Sequence, residues 1–310
     1  MSKLKTALEE YLTMRRAAGF KLETQGSLLQ RFVEFAEKKR ASRITRDLAL
    51  RWATQPKGCD PAQWAKRLAV VQRFASYQSA IDPSTELCPP DLLPHRFRRK
   101  PPYVYSDEQI QQIIAEAKNL RSPSGLRAAT FSTLFGLLAV TGMRVGEAIA
   151  LDRADVDISQ AILTVRHSKF GKSRLIPIHS STAKELQHYA RLRDRLFKLT
   201  ATSAFFVSRS GRRLSRSGVK GTFVLLSRRI GLRKPDQRWG PRIHDLRHGF
   251  ALKTLSLLYK SGPDVEQHIP VLSTYLGHAN VANTYWYLTA TPELLLAASA
   301  RLDRSPEAMS

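Results

Sequence analysis

The sequence predicts a mainly α-helical chain of two domains with one small β-hairpin. Three observations carry this prediction. A length of 310 residues with 43% hydrophobic content is enough for about two cores. Apolar residues recur at helical spacing through the first 82 residues and again after residue 106. Alternation with period two is confined to AILTVRHSKFGKSRLIPIH, residues 161–179.

Taken in order, Leu4, Leu8, Tyr11 and Leu12 make the apolar stripe of a first helix, and Gly19 is positioned to terminate it. Leu28, Leu29, Phe32 and Phe35 define a second helix, and Leu48, Leu50 and Trp52 a third that begins near Thr45. Asp60-Pro61 has the capping and first-turn chemistry to launch a fourth, through Trp64, Leu68, Val71 and Phe74. Pro83 to Pro102 then holds six prolines and a basic run, a composition that favours extended chain. The expected organisation is a helical domain over 1–95, a basic proline-rich linker over 96–105 and a second domain over 106–310. Arg96, Arg98, Arg99 and Lys100 would let the linker follow a phosphate backbone; as a solvated charge run they would do no more than keep it soluble.

Ser106 and Gln109 form a capping box that opens the second domain. An apolar helix from Phe131 to Val140 stops at Thr141-Gly142, and another starts at once in MRVGEAIAL. Leu163 and Val165 alternate with Ile162, Thr164 and Arg166; a glycine-containing turn then returns the chain through Leu175-Ile176-Pro177-Ile178, and helices resume. After Thr289, PELLLAASARL carries an apolar face at Leu294, Leu295, Ala298 and Leu302, suited to its own domain or to a neighbouring protomer.

Charge narrows the function. Lys and Arg outnumber Asp and Glu by 50 to 26, and a net charge of +24 excludes a neutral metabolic enzyme and calls for a polyanionic partner, nucleic acid or anionic membrane. No apolar run approaches membrane-spanning length, and MSKLKTALEEYL reads as an amphipathic helix, so a cytoplasmic location is expected. Cys59 and Cys88 stand apart without clustered histidines, so neither a zinc site nor a disulfide framework is indicated.

LGHANVANTYWYL, residues 276–288, sets one histidine before three consecutive aromatics. On a helix from Ala279, Val281, Tyr285 and Leu288 form the buried stripe, which makes Tyr285 core. Tyr287 then shares a face with Asn280, Asn283 and Thr284, its hydroxyl directed away from that stripe.

With these boxes in view, the chain resembles the tyrosine recombinases, or phage-type integrases. TGMRVGEAIAL resembles their first box, with Arg144 as its arginine; SKFGKSRLIPI resembles the hairpin that carries their lysine, here Lys169; HDLRH supplies His244 and Arg247; and LGH supplies His278. The nucleophilic tyrosine of the family lies nine positions after that last histidine, which selects Tyr287 and not Tyr285. The segment between HDLRH and LGH is slightly longer than the common pattern.

The resemblance implies an all-α, SAM-like core-binding domain ahead of an α+β catalytic domain, acting on double-stranded DNA with inverted-repeat sites. It further implies a homotetramer on synapsed DNA formed from monomers, with neither metal nor cofactor. Tyr287 would form a 3′-phosphotyrosyl link and a 5′-hydroxyl would later attack it. His244 would exchange the phenol proton, His278 would donate a hydrogen bond to phosphate, and Lys169, with Lys172 as its rival, would protonate the leaving 5′ oxygen.

Physical chemistry agrees with those roles. Charge grows on the non-bridging oxygens in the transition state, and arginine forks meet it with paired hydrogen bonds. A tyrosine hydroxyl, with an ordinary pKa of about 10, needs cations and a base to react at neutral pH. Glu147 reads as an anchoring group, and His248 and Asp245 as supporting ones, Asp245 suited to orient or cap. Integration of a mobile element is the preferred role; a type IB-like topoisomerase and an idle architectural DNA-binding protein are the alternatives.

Overall fold

The computed structural model describes residues 2–94, 101–166, 173–197, 202–237, 239–260 and 265–289, with Leu295, Leu296 and Ser299. The chain divides into two compact units, Met1–Lys100 and Pro101–Ser310. It is mainly helical with one small sheet, as the periodicities predict.

The first unit holds α1 (Lys3–Ala17), α2 (Glu23–Lys38), α3 (Arg46–Thr54) and α4 (Pro61–Ser79). Polar caps set three of the four starts: the side chains of Ser2, Thr45 and Asp60 accept from the backbone N–H groups of Lys5, Leu48 and Ala62. Leu29, Phe32, Ile44, Trp52 and Phe74 fill the core, and the Arg67 guanidinium lies 3.8 Å above the Trp52 ring.

The second unit opens with α5 (Asp107–Lys118), whose capping box joins Ser106 and Gln109 as expected. Next come α6 (Leu126–Thr141) and α7 (Val145–Ala150). Helix α6 begins five residues earlier than its apolar run suggests, because Gly125, at φ +73°, supplies the turn that lets Leu126 enter the core. Strands β1 (Val156–Asp157), β2 (Ile162–Val165) and β3 (Arg174–Pro177) form an antiparallel sheet in that order; Leu163 and Ile176 are paired and buried, as the alternation requires. The two-residue β1 is too short to leave a periodic signal.

Helices α8 (Ser180–Leu196), α9 (Arg216–Arg229), α10 (Asp245–Lys260), α11 (Val265–Leu276) and α12 (Ala282–Tyr285) complete the unit, with a 3₁₀ turn over Trp286–Thr289. Leu134, Phe135, Phe206 and Phe223 belong to its main core. A second apolar cluster joins Leu252 and Leu255 of α10, Ile269, Leu272 and Leu276 of α11, and Tyr287.

This second cluster corrects the reading of the aromatics. Tyr285 is 46% exposed, whereas Tyr287 is 2% exposed and packs in the cluster. Thr284 and Tyr287 do share a face, but that face is buried. The short helix passes into a 3₁₀ turn, in which residues three apart lie one above the other, and α10 and α11 cover the side that Thr284 and Tyr287 present.

Among the described residues no helix is long and apolar enough to cross a membrane, and no group of three or more His, Cys, Asp or Glu side chains is arranged to hold a metal.

Candidate active site

Gly142 ends α6 at φ +60°, and a Cβ there would stand 2.5 Å from the Phe250 ring. The close turn it permits delivers Met143 to the core and Arg144 to the N-cap of α7. Glu147, one turn into α7, accepts from the Arg144 backbone N–H at 2.9 Å through Oε2 and from Arg144 Nη1 at 2.7 Å through Oε1. Burial pushes the Glu147 carboxyl pKa up, but hydrogen bonds from Arg174 and the Arg144 backbone outweigh it and hold the group below its ordinary value. Glu147 is therefore an anchor for the box, as its spacing suggests.

HDLRH starts α10. Asp245 accepts from the Arg242 backbone N–H at 2.7 Å and from Arg242 Nη2 at 2.8 Å, which secures the helix start, in keeping with the orienting or capping part read for it. Two residues on, Arg247 is 3% exposed and donates through Nη1 to the Gly142 carbonyl at 2.9 Å. Burial, and then the neighbouring Arg144 charge, lower its pKa to about 10, which leaves it a cation at neutral pH.

Helix α11 ends in the pattern glycine makes possible. Gly277 lies at φ +68°, its N–H reaches the Thr274 carbonyl, and the His278 N–H reaches that of Ser273. The carbonyls of residues 275–277 are orphan acceptors at the negative end of the helix dipole. Each takes one guanidinium: Tyr275 from Arg174 Nε at 2.7 Å, Leu276 from Arg247 Nη2 at 2.7 Å, and Gly277 from Arg144 Nη2 at 2.8 Å. The next residue is His278, whose Nδ1 lies 2.8 Å from Thr284 Oγ1.

Tyr287 completes the group. Its hydroxyl lies 2.8 Å from His248 Nδ1, its ring is stacked with that of His278 at 6.2 Å between centroids, and its position is close enough to bear on the Arg247 charge. The exposed His244 ring meets His248 edge-on, with 4.7 Å between centroids. Burial, followed by nearby positive groups, lowers the pKa of His248 to about 4 and of His278 to about 3, so both rings are neutral at physiological pH.

The structure thus brings Arg144, His244, Arg247, His278 and Tyr287 around the ends of α10 and α11. Lys169, Lys172, Arg96, Arg98, Arg99 and Lys100 lie outside the described residues, as do Leu294, Ala298 and Leu302 of the tail. Two members exceed the sequence reading. His248 touches the phenol directly, a stronger part than the supporting one its neighbourhood suggested. Arg174 escaped notice because a charged residue opening a strand reads as solvent-facing.

Buried guanidinium groups near a tyrosine hydroxyl that is bonded to a neutral imidazole combine cations for an oxyanion with a nucleophile and a proton acceptor. Comparison with known proteins agrees with such chemistry. Residues 104–293 match the phage integrase family. An integrase/recombinase by name, y4rB of Sinorhizobium fredii, is 46% identical over 309 residues, covering 98% of each chain. Tyrosine recombinase XerC of Pelotomaculum thermopropionicum is 29% identical over 252 residues, 78% of this chain and 74% of XerC. The crystal structure of XerH site-specific recombinase bound to palindromic difH substrate, 18% identical, superposes with a TM-score of 0.65 over 91% of this chain and 80% of that one, and so shares the fold. With a family match across most of its length and a relative so similar throughout, the chain belongs to the phage integrase family, the tyrosine recombinases, enzymes that break and rejoin DNA strands.

Proposed function

We propose that this enzyme integrates a mobile element by site-specific strand exchange through a 3′-phosphotyrosyl intermediate. The observation that carries the reading is the 2.8 Å contact between the Tyr287 hydroxyl and a neutral imidazole, beside two arginines fixed to one helix end.

In this reading Arg144 and Arg247 hold the non-bridging oxygens of the scissile phosphate, and His278 adds a hydrogen bond to them. The Tyr287 oxygen attacks phosphorus while the bond to the 5′ oxygen breaks. The phenol proton passes to His248, with His244 as the next group in line, and Lys169 protonates the departing oxygen. Attack by a 5′-hydroxyl reverses each transfer and releases Tyr287, so the energy of the phosphodiester is conserved through the exchange.

The substrate is double-stranded DNA with inverted repeats, and the working assembly a homotetramer built from monomers on two synapsed duplexes in the cytoplasm. The 46% identity to a protein named as an integrase supports the mobile-element role, and the palindromic DNA of the XerH complex supports the repeats. The helical unit and the linker around Arg96, Arg98, Arg99 and Lys100, with Lys172 in the second unit, supply backbone contacts, in keeping with the charge of +24.

The test begins with a duplex selected from a random-sequence pool by binding to the protein. That duplex is nicked at successive positions so that a short 5′-hydroxyl fragment can diffuse away after cleavage. Wild-type protein and Tyr285→Phe should accumulate a covalent adduct on a denaturing gel, and Tyr287→Phe should bind equally well yet form none. An adduct with Tyr287→Phe would sink the assignment.

A further inference from the structure

The sequence reading gave Arg174 no role, and its place in the site is unusual. It opens β3, paired with Val165 of β2, yet its side chain is only 8% exposed and turned inward. Nη1 and Nη2 reach the two Glu147 oxygens at 3.2 and 2.8 Å, and Nε reaches the Tyr275 carbonyl at 2.7 Å. One guanidinium therefore ties the hairpin to the α7 box and to the end of α11. Glu147 is 7% exposed and shared, since its Oε1 also accepts from Arg144 Nη1. A Cβ on Gly277 would stand 2.6 Å from Arg174 Nη1, so the glycine that ends α11 also makes room for this arginine.

Burying such a pair is costly, and apolar residues of similar volume would serve stability as well or better. Its geometry offers something apolar residues lack. Because Arg174 occupies both carboxylate oxygens, and Oε2 also takes the Arg144 backbone N–H, Glu147 holds the Arg144 guanidinium through a single Nη1 contact, while Gly277 holds Nη2 from the other side. Without Arg174, both oxygens would compete for the Arg144 fork and turn it from its present angle.

We infer that Arg174 is a positioning residue for strand cleavage: by saturating Glu147 and bracing the end of α11 it fixes the angle at which Arg144 meets the scissile phosphate. This rests on the reading that Arg144 neutralises that phosphate. Arg174 itself touches no DNA in this role. It sets the orientation of a charge, so its effect belongs to the chemical step and depends on the charge of the phosphate.

The test uses the full chain with Arg174→Met and Arg174→Lys, and two nicked duplexes. One carries the natural phosphodiester at the position mapped with wild type, the other a neutral methylphosphonate there, which needs less cationic help. On the phosphodiester, Arg174→Met should slow adduct formation by at least about tenfold while DNA affinity changes less than about twofold. On the methylphosphonate it should fall close to wild type. Arg174→Lys, which keeps the charge but not the fork, should lie between on the phosphodiester. If Arg174→Met does not fold, as judged by its thermal midpoint, the comparison of the two substrates with Arg174→Lys decides. Equal slowing on both substrates would reduce Arg174 to a structural pair and overturn the inference, as would no slowing on either. Failure of wild type itself to form an adduct would instead overturn the function proposed above, and this inference with it.

Discussion

The two half-buried imidazoles couple the site to pH. His248 and His278 are neutral in the folded protein at pH values where an unfolded chain would bind protons, because burial and nearby positive groups lower their pKa values to about 4 and about 3 from an ordinary 6.5. Between pH 6.5 and about 4 the unfolded state therefore holds more protons than the native one, and stability falls as pH falls. The thermal midpoint should drop progressively below pH 6.5, and replacing His278 with Asn should make that drop shallower. A midpoint that stays level from pH 7 to pH 5 would contradict the burial argument. A phosphate monoanion arriving beside these rings would favour their protonated forms, so the bound enzyme should titrate higher than the free one.

At the scale of elements, the end of α11 organises the site, and Gly277 makes that end possible. A methyl group there would adopt an unfavourable φ of +68° and strike a buried guanidinium. Gly277→Ala should cost on the order of 1–3 kcal/mol in chemical denaturation, since the strained backbone and the clash act together. It should also slow cleavage more than it weakens DNA binding, because Arg174, Arg144 and His278 all shift. A variant as stable as wild type would show that the turn tolerates what its geometry forbids. The helix starts at Ser106, Thr45 and Asp60 and the hairpin within residues 161–179 were legible in sequence, because capping chemistry and periodicity are local; the boxes around Arg144, His244 and His278 were legible through their resemblance to the tyrosine recombinases. The burial of Tyr287 was not. A helical wheel drawn from Ala279 assumes 3.6 residues per turn and a known inner face; the chain switches to a 3₁₀ turn, and α10 and α11, elements distant in sequence, choose the face. Arg174 was hidden for the same reason, since its partners Glu147 and Tyr275 lie 27 and 101 residues away.

Across the molecule, a charge of +24 suggests diffuse attraction to DNA, but at the site it takes a specific form. Arg144, Arg174 and Arg247 face Glu147 and a helix end that supplies roughly half a negative charge. Among the described residues the balance is positive, and Arg247 and Arg174 are buried, where repulsion is poorly screened. An oxyanion that binds beside them relieves that repulsion, and whatever binds the native state alone stabilises it. Phosphate or sulfate at millimolar concentration should raise the thermal midpoint above that in chloride of equal ionic strength. The gain should shrink in Arg144→Ala; an equal gain there would mark a general salt effect. If the scissile phosphate binds there as proposed, the helix end that gathers these arginines gives the enzyme an ionic folding partner in its own substrate: the DNA backbone, by supplying counter-charge, would tighten the second unit as it is engaged, and resistance to unfolding would itself report occupancy.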